Sequence, residues 1–115
     1  MGADLRFSPL LRHFSMISED HTETLYEAVQ TYGVRPQELI AVEEMAELIK
    51  EIMKCHRHQI EPTEAMLEEF VDVCICMAQI EFILKCHIDG APEQMLSIWK
   101  HKMDILKSKI ECRGD

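Results

Sequence analysis

From Thr22 onwards, apolar residues return every third or fourth position, and no stretch alternates as a half-buried strand does. That spacing predicts four helices. The first runs from about Thr22 to Gly33, with Leu25, Val29 and Tyr32 as its apolar stripe. Ser18, Asp20 and Thr22 are N-cap types, and Gly33 suits a C-terminal cap. The second begins near Pro36, a residue suited to a first helical turn, and runs to about Cys55. Leu39, Ile40, Val42, Met45, Leu48, Ile49, Ile52 and Met53 give it a broad apolar face. Residues 56–62 read as a polar link.

The third helix is expected from about Thr63 to Cys86. Between Phe70 and Leu84 it is apolar nearly all round, with Asp72, Gln79 and Glu81 as the polar exceptions, so it should be buried centrally. A turn over His87–Gly90 leads to a fourth helix with Pro92 at its start. Met95, Trp99, Met103, Leu106 and Ile110 form its expected inward stripe. Short links favour antiparallel neighbours, so the fold class is all-α, an antiparallel four-helix bundle. Residues 1–20 read as an N-terminal arm or short helix, and residues 21–115 as the helical domain.

Composition narrows the function. At 115 residues the chain makes one domain, and 47% hydrophobic with 29% charged residues describes a globular protein. The formal net charge of -9 argues against nucleic acid as a partner, because phosphate backbones select basic faces. It leaves room for a small polyphosphate if a bound cation reverses the local field. The five cysteines are odd in number and contain no CxxC, so they read as reduced thiols in a cytoplasmic protein. Every long apolar run is broken by Asp, Glu or Gln, so no membrane span is expected.

The chemistry concentrates in two acidic pairs. Glu44 and Glu47 lie three apart on the second helix; Glu69 and Asp72 lie three apart on the third. Residues three apart share a helix face, so each pair can converge on one ion. His56 lies nine positions after Glu47, and Glu69 seven positions after Pro62, so antiparallel packing brings the pairs to nearly equal height. An ionised carboxylate buried without a partner costs several kcal/mol, so Asp72 needs a proton, a cation or a metal. Oxygen-only ligands select Mg2+ or Mn2+, and Mg2+ sites of this type are completed by water and substrate phosphates. A single ExxE is commonly a solvated helix face supported by Lys50 and Lys54; an ExxD inside an apolar helix is harder to explain that way. A di-iron bundle requires Glu-x-x-His, and no Glu here is followed by His three residues later. Cys55, His56 and His58 are placed as ordinary loop residues rather than zinc ligands.

The stretch YGVRPQELIAVEEMAELIKEI, then KCHR, then EEFVDVCICMAQIEF, resembles the MazG-like all-α nucleoside triphosphate pyrophosphatases, in particular the short single-domain phage-type members. Their mark is ExxE, a variable spacer, then ExxD; here the spacer is twenty-one residues. The resemblance implies Mg2+-dependent hydrolysis of (deoxy)nucleoside triphosphates to monophosphate and pyrophosphate, with Mn2+ as a possible substitute. It implies metal ligation by Glu44, Glu47, Glu69 and Asp72, and catalytic roles for Glu43 and Glu47. It further implies substrate contacts from Lys54, Arg57, Lys102 and Gln37, and assembly of the chain with itself as a dimer or tetramer. The alternative is a non-catalytic helical interaction or regulatory protein that retains the bundle.

Overall fold

The computed structural model describes residues 19–113; the expected N-terminal arm lies almost wholly outside them. The described residues form four helices and no strand: α1 (Glu19–Tyr32), α2 (Val34–His58), α3 (Glu64–His87) and α4 (Ala91–Arg113). None is long and apolar enough to cross a membrane. Two compact units divide the chain, one ending at Ile83 and the other beginning at Leu84 within α3.

In the first unit, Gly33 separates α1 from α2. Its N–H donates to the Val29 carbonyl at 2.8 Å, closing α1, and its φ of 96° with ψ of 161° is a conformation that suits glycine alone. Pro36 then falls in the first turn of α2, where its missing N–H costs nothing. The stripe of α1 is rotated from the expected one: Tyr26 and Val29 are buried, whereas Tyr32 is exposed.

The C-terminus of α2 lies three residues beyond the expected end. His56, Arg57 and His58 are its last turn rather than a link. Gln59 takes the left-handed conformation, φ 52° and ψ 46°. Its N–H donates to the His56 carbonyl, and the Ile60 N–H to that of Cys55 at 3.0 Å. This is a Schellman closure with Gln in place of the usual Gly, and three basic-capable side chains beside the terminal carbonyls favour it. After the link, the Thr63 hydroxyl accepts the Met66 N–H at 3.2 Å and caps α3.

α3 is held to α1 by two contacts. Tyr26 and Phe82 stack, with centroids 4.1 Å apart and planes 18° apart. The buried Gln79 donates from Nε2 to the Leu25 carbonyl at 3.3 Å. Within the single chain, however, α3 is not the enclosed helix its sequence suggests. Cys76, Ala78, Gln79, Glu81, Ile83 and Lys85 are buried, but Phe70, Ile75 and Leu84 are exposed. An all-round apolar helix needs neighbours on every side, and one chain supplies them on part of its surface.

In the second unit, Gly90 turns the chain with φ of 70°, and Pro92 lies in the first turn of α4. Of the expected inward stripe, Trp99, Met103, Leu106 and Ile110 are exposed and Met95 is half-buried. The five cysteines are free thiols.

Candidate metal centre

α2 and α3 form a hairpin, and the acidic pairs show it. Glu44 lies fourteen residues before the end of α2, and Asp72 eight residues after the start of α3. Twenty-eight residues in one continuous helix would span about 40 Å. Instead, carboxylate oxygens of Glu44, Glu69 and Asp72 all lie within 4.8 Å of one another. One face of α2 carries Gln37, Ala41, Glu44, Leu48, Glu51 and Cys55, spaced by three or four residues and buried or half-buried throughout. Glu69 and Asp72 are one turn apart on α3 and point the same way.

The electrostatics are one-signed. Burial raises the Glu44 carboxyl above its ordinary value first; Asp72, Glu47 and Glu43 add repulsion, and a hydrogen bond with Asp72 adds to the shift. Glu69 is likewise raised by burial, then by Asp72, Glu44, Glu47 and Glu68. Among the described residues, every charge acting on these two groups is another carboxylate, which is the condition a divalent cation relieves. Cys76, next to the cluster on α3, is pushed up by burial and then by Glu44 and Asp72, so it stays a neutral thiol. The donor set is therefore oxygen, the preference of Mg2+, Mn2+ or Ca2+ rather than zinc. The residues present fit such an ion.

The remaining candidates are distributed around this centre. Glu47 is exposed and outside the tight group, yet near enough to raise both Glu44 and Glu69. Glu43 is exposed and acts on Glu44 alone of the two. Gln37 is buried on the inner face of α2, about 10 Å along the axis from Glu44. Lys54 and Arg57 lie roughly 15 and 20 Å along the axis in the other direction, and are not brought to the carboxylates. Lys54 instead pairs with Glu51 at 3.6 Å. Glu51 is only 13% exposed at its side chain. Lys102 is exposed on α4, in the second unit. Among the aromatic residues, Tyr26 and Phe82 stack on each other, while Tyr32 and Trp99 are exposed. A recess of about 410 Å³ lined by Ile52, Cys55, His56, Gln59, Ile60 and Met66 sits at the closed end of the hairpin, away from the carboxylates. No family model, curated protein or solved structure matches the chain.

Proposed function

We propose that this chain is a divalent-metal-dependent nucleoside triphosphate pyrophosphohydrolase of the MazG-like kind, acting on (deoxy)nucleoside triphosphates as part of a bundle. The observation that carries the reading is the convergence of Glu44, Glu69 and Asp72 from two helices, with no cation among the described residues acting on Glu44 or Glu69. The ExxE and ExxD motifs supply the reaction; the cluster supplies the place.

Glu44, Glu69 and Asp72 would hold Mg2+, with Glu47 beside them as a further ligand. When bound, the ion neutralises phosphate charge and makes a bound water more acidic. Glu47 and Glu43, exposed on the turn of α2 that carries Glu44, are positioned to orient the attacking water and accept its proton. Gln37, Lys54, Arg57 and Lys102 are proposed to meet the substrate, the cations against its phosphates. The axial distances along α2 give Lys54 and Arg57 a role away from the ion itself.

The test is incubation of the full chain with each nucleoside triphosphate and deoxynucleoside triphosphate plus Mg2+, with monophosphate and pyrophosphate measured as products. Equal release of the two supports the proposal. No turnover of any nucleotide, together with no Mg2+-dependent rise in melting temperature, overturns it. The second reading, a non-catalytic helical interaction protein, draws on the exposed apolar residues of α2 and α4, and that double negative would favour it.

A further inference from the structure

We propose that the exposed stripe of α4 is a docking surface for an acidic helix of another protein, one that carries Glu or Asp on both borders of its own apolar seam. The stripe is Leu96, Trp99, Met103, Leu106 and Ile110, spaced three, four, three, four. That is the a and d spacing of a coiled-coil seam, the line along which two helices pack side by side. All five side chains are exposed, from 41% at Met103 to 64% at Ile110. From Leu96 to Ile110 the seam extends about 21 Å, and a continuous exposed stripe of that length marks an interaction surface rather than scattered exposure.

Charge selects the occupant. With Leu96, Met103 and Ile110 at a and Trp99 and Leu106 at d, the e positions are Lys100 and Lys107 and the g positions are Lys102 and Lys109. Every position bordering the seam between Leu96 and Ile110 is therefore a lysine. The acids of the same turns, Asp104 and Glu111, fall at b, away from the seam. A second α4 would set lysine against lysine in either direction, so the surface rejects its own copy. A helix with Glu at e and g meets all four lysines whichever way it runs. A lipid surface fits less well, because a helix lying in a bilayer interface presents a broad apolar face. Here the seam is two positions in seven, closed in by lysine on both sides. α4 carries none of Glu44, Glu69 and Asp72, so the docking does not rest on the proposed reaction. Lys102, proposed to meet substrate, is left unchanged in the test.

Trp99 is the only tryptophan of the chain and lies in the seam, so its emission reports the docking directly. The full chain is titrated with a three-heptad peptide carrying Leu at a and d and Glu at e and g, and with the same peptide carrying Lys at e and g. The Glu peptide should shift the emission to the blue and add to the sedimenting mass, less so as salt rises. The Lys peptide should do neither. Leu106→Glu should weaken binding of the Glu peptide by on the order of 10-fold or more, since it sets a charge in the seam. Lys100→Glu, Lys107→Glu and Lys109→Glu together should exchange the preference, losing the Glu peptide and gaining the Lys peptide. These residues are exposed, so helicity should be unchanged; if Leu106→Glu does not fold, the charge exchange decides. No response to the Glu peptide overturns the proposal, as does an equal response to both peptides. Emission that is already blue and moved by neither peptide overturns it too, because the seam is then covered by the chain itself. A shift with phosphatidylserine vesicles and none with the Glu peptide overturns it in favour of a lipid surface.

Discussion

Carboxylate oxygens of Glu44 on α2 and Asp72 on α3 lie within 4.8 Å of each other across the hairpin, and Asp72 helps to raise the Glu44 carboxyl above its ordinary value. Two like charges that close repel, and a divalent cation between them relieves the repulsion. Asp72→Asn retains a bonding partner for Glu44 and removes one charge from the cluster. At neutral pH the variant should melt at a higher temperature than the metal-free parent. It should also lose the Mg2+-dependent rise in melting temperature, and pyrophosphate release should fall at least about 100-fold, as expected when a metal site loses a ligand. A strong loss of folding on this substitution would assign Asp72 a structural role instead.

The same cluster sets a pH dependence opposite to the usual one for carboxylates. Glu44 and Glu69 have pKa values raised in the folded protein above the ordinary 4.5, through burial first and neighbouring carboxylates second. Above the folded values both groups are ionised in the folded and unfolded chain, and their repulsion destabilises the fold in full. As pH falls through the raised values the folded state takes up protons first, so stability rises until the unfolded groups titrate near 4.5. The melting temperature of the metal-free protein should therefore increase from neutral pH towards mildly acid pH. In a Glu44→Gln, Glu69→Gln variant this increase should shrink or vanish. Saturating Mg2+ should stabilise the parent chiefly at the high-pH end, because protons and metal compete for the same oxygens.

The sequence carried the helices well because their punctuation is local. Gly33, Thr63, Gly90 and Pro92 act within a turn of where they stand, and each is found at a boundary. The end of α2 was hidden because Gln59, not glycine, takes the left-handed position; nothing in composition distinguishes it from other polar residues. The meeting of Glu44 with Glu69 and Asp72 was legible from equal spacing about one link, a relationship of register alone. Burial was not legible. Periodicity identifies an apolar face but not what covers it, and Trp99, Ile110, Leu39 and Ile49 are apolar faces left uncovered within one chain. Tyr26 in place of Tyr32 is the same difficulty at smaller scale, since both fit a helical stripe and only packing against Phe82 separates them.

That packing makes Tyr26 a sensitive position. Tyr26 is 6% exposed and stacked on Phe82, and the residue before it, Leu25, offers the carbonyl that receives the Gln79 amide. Tyr26→Ala removes the ring from the α1–α3 contact and leaves a void between helices. The expected cost is about 3 kcal/mol, from burial and cavity together. Urea unfolding followed by circular dichroism should show a lower midpoint for Tyr26→Ala than for Tyr26→Phe, which keeps the stack.

Gly33 tests backbone conformation apart from packing. A Cβ built there meets Pro36 Cδ at 3.6 Å, an ordinary contact, so space does not require glycine. The backbone does: φ of 96° with ψ of 161° is a region side-chain-bearing residues avoid. Gly33→Ala should therefore cost about 1–3 kcal/mol, although it adds one methyl group in open contact. If the loss came from crowding, Gly33→Ser would be markedly worse than Gly33→Ala; backbone strain makes the two nearly equal. Chemical denaturation of the pair distinguishes the causes, and two variants as stable as the parent would show that the α1–α2 junction adopts another conformation in solution.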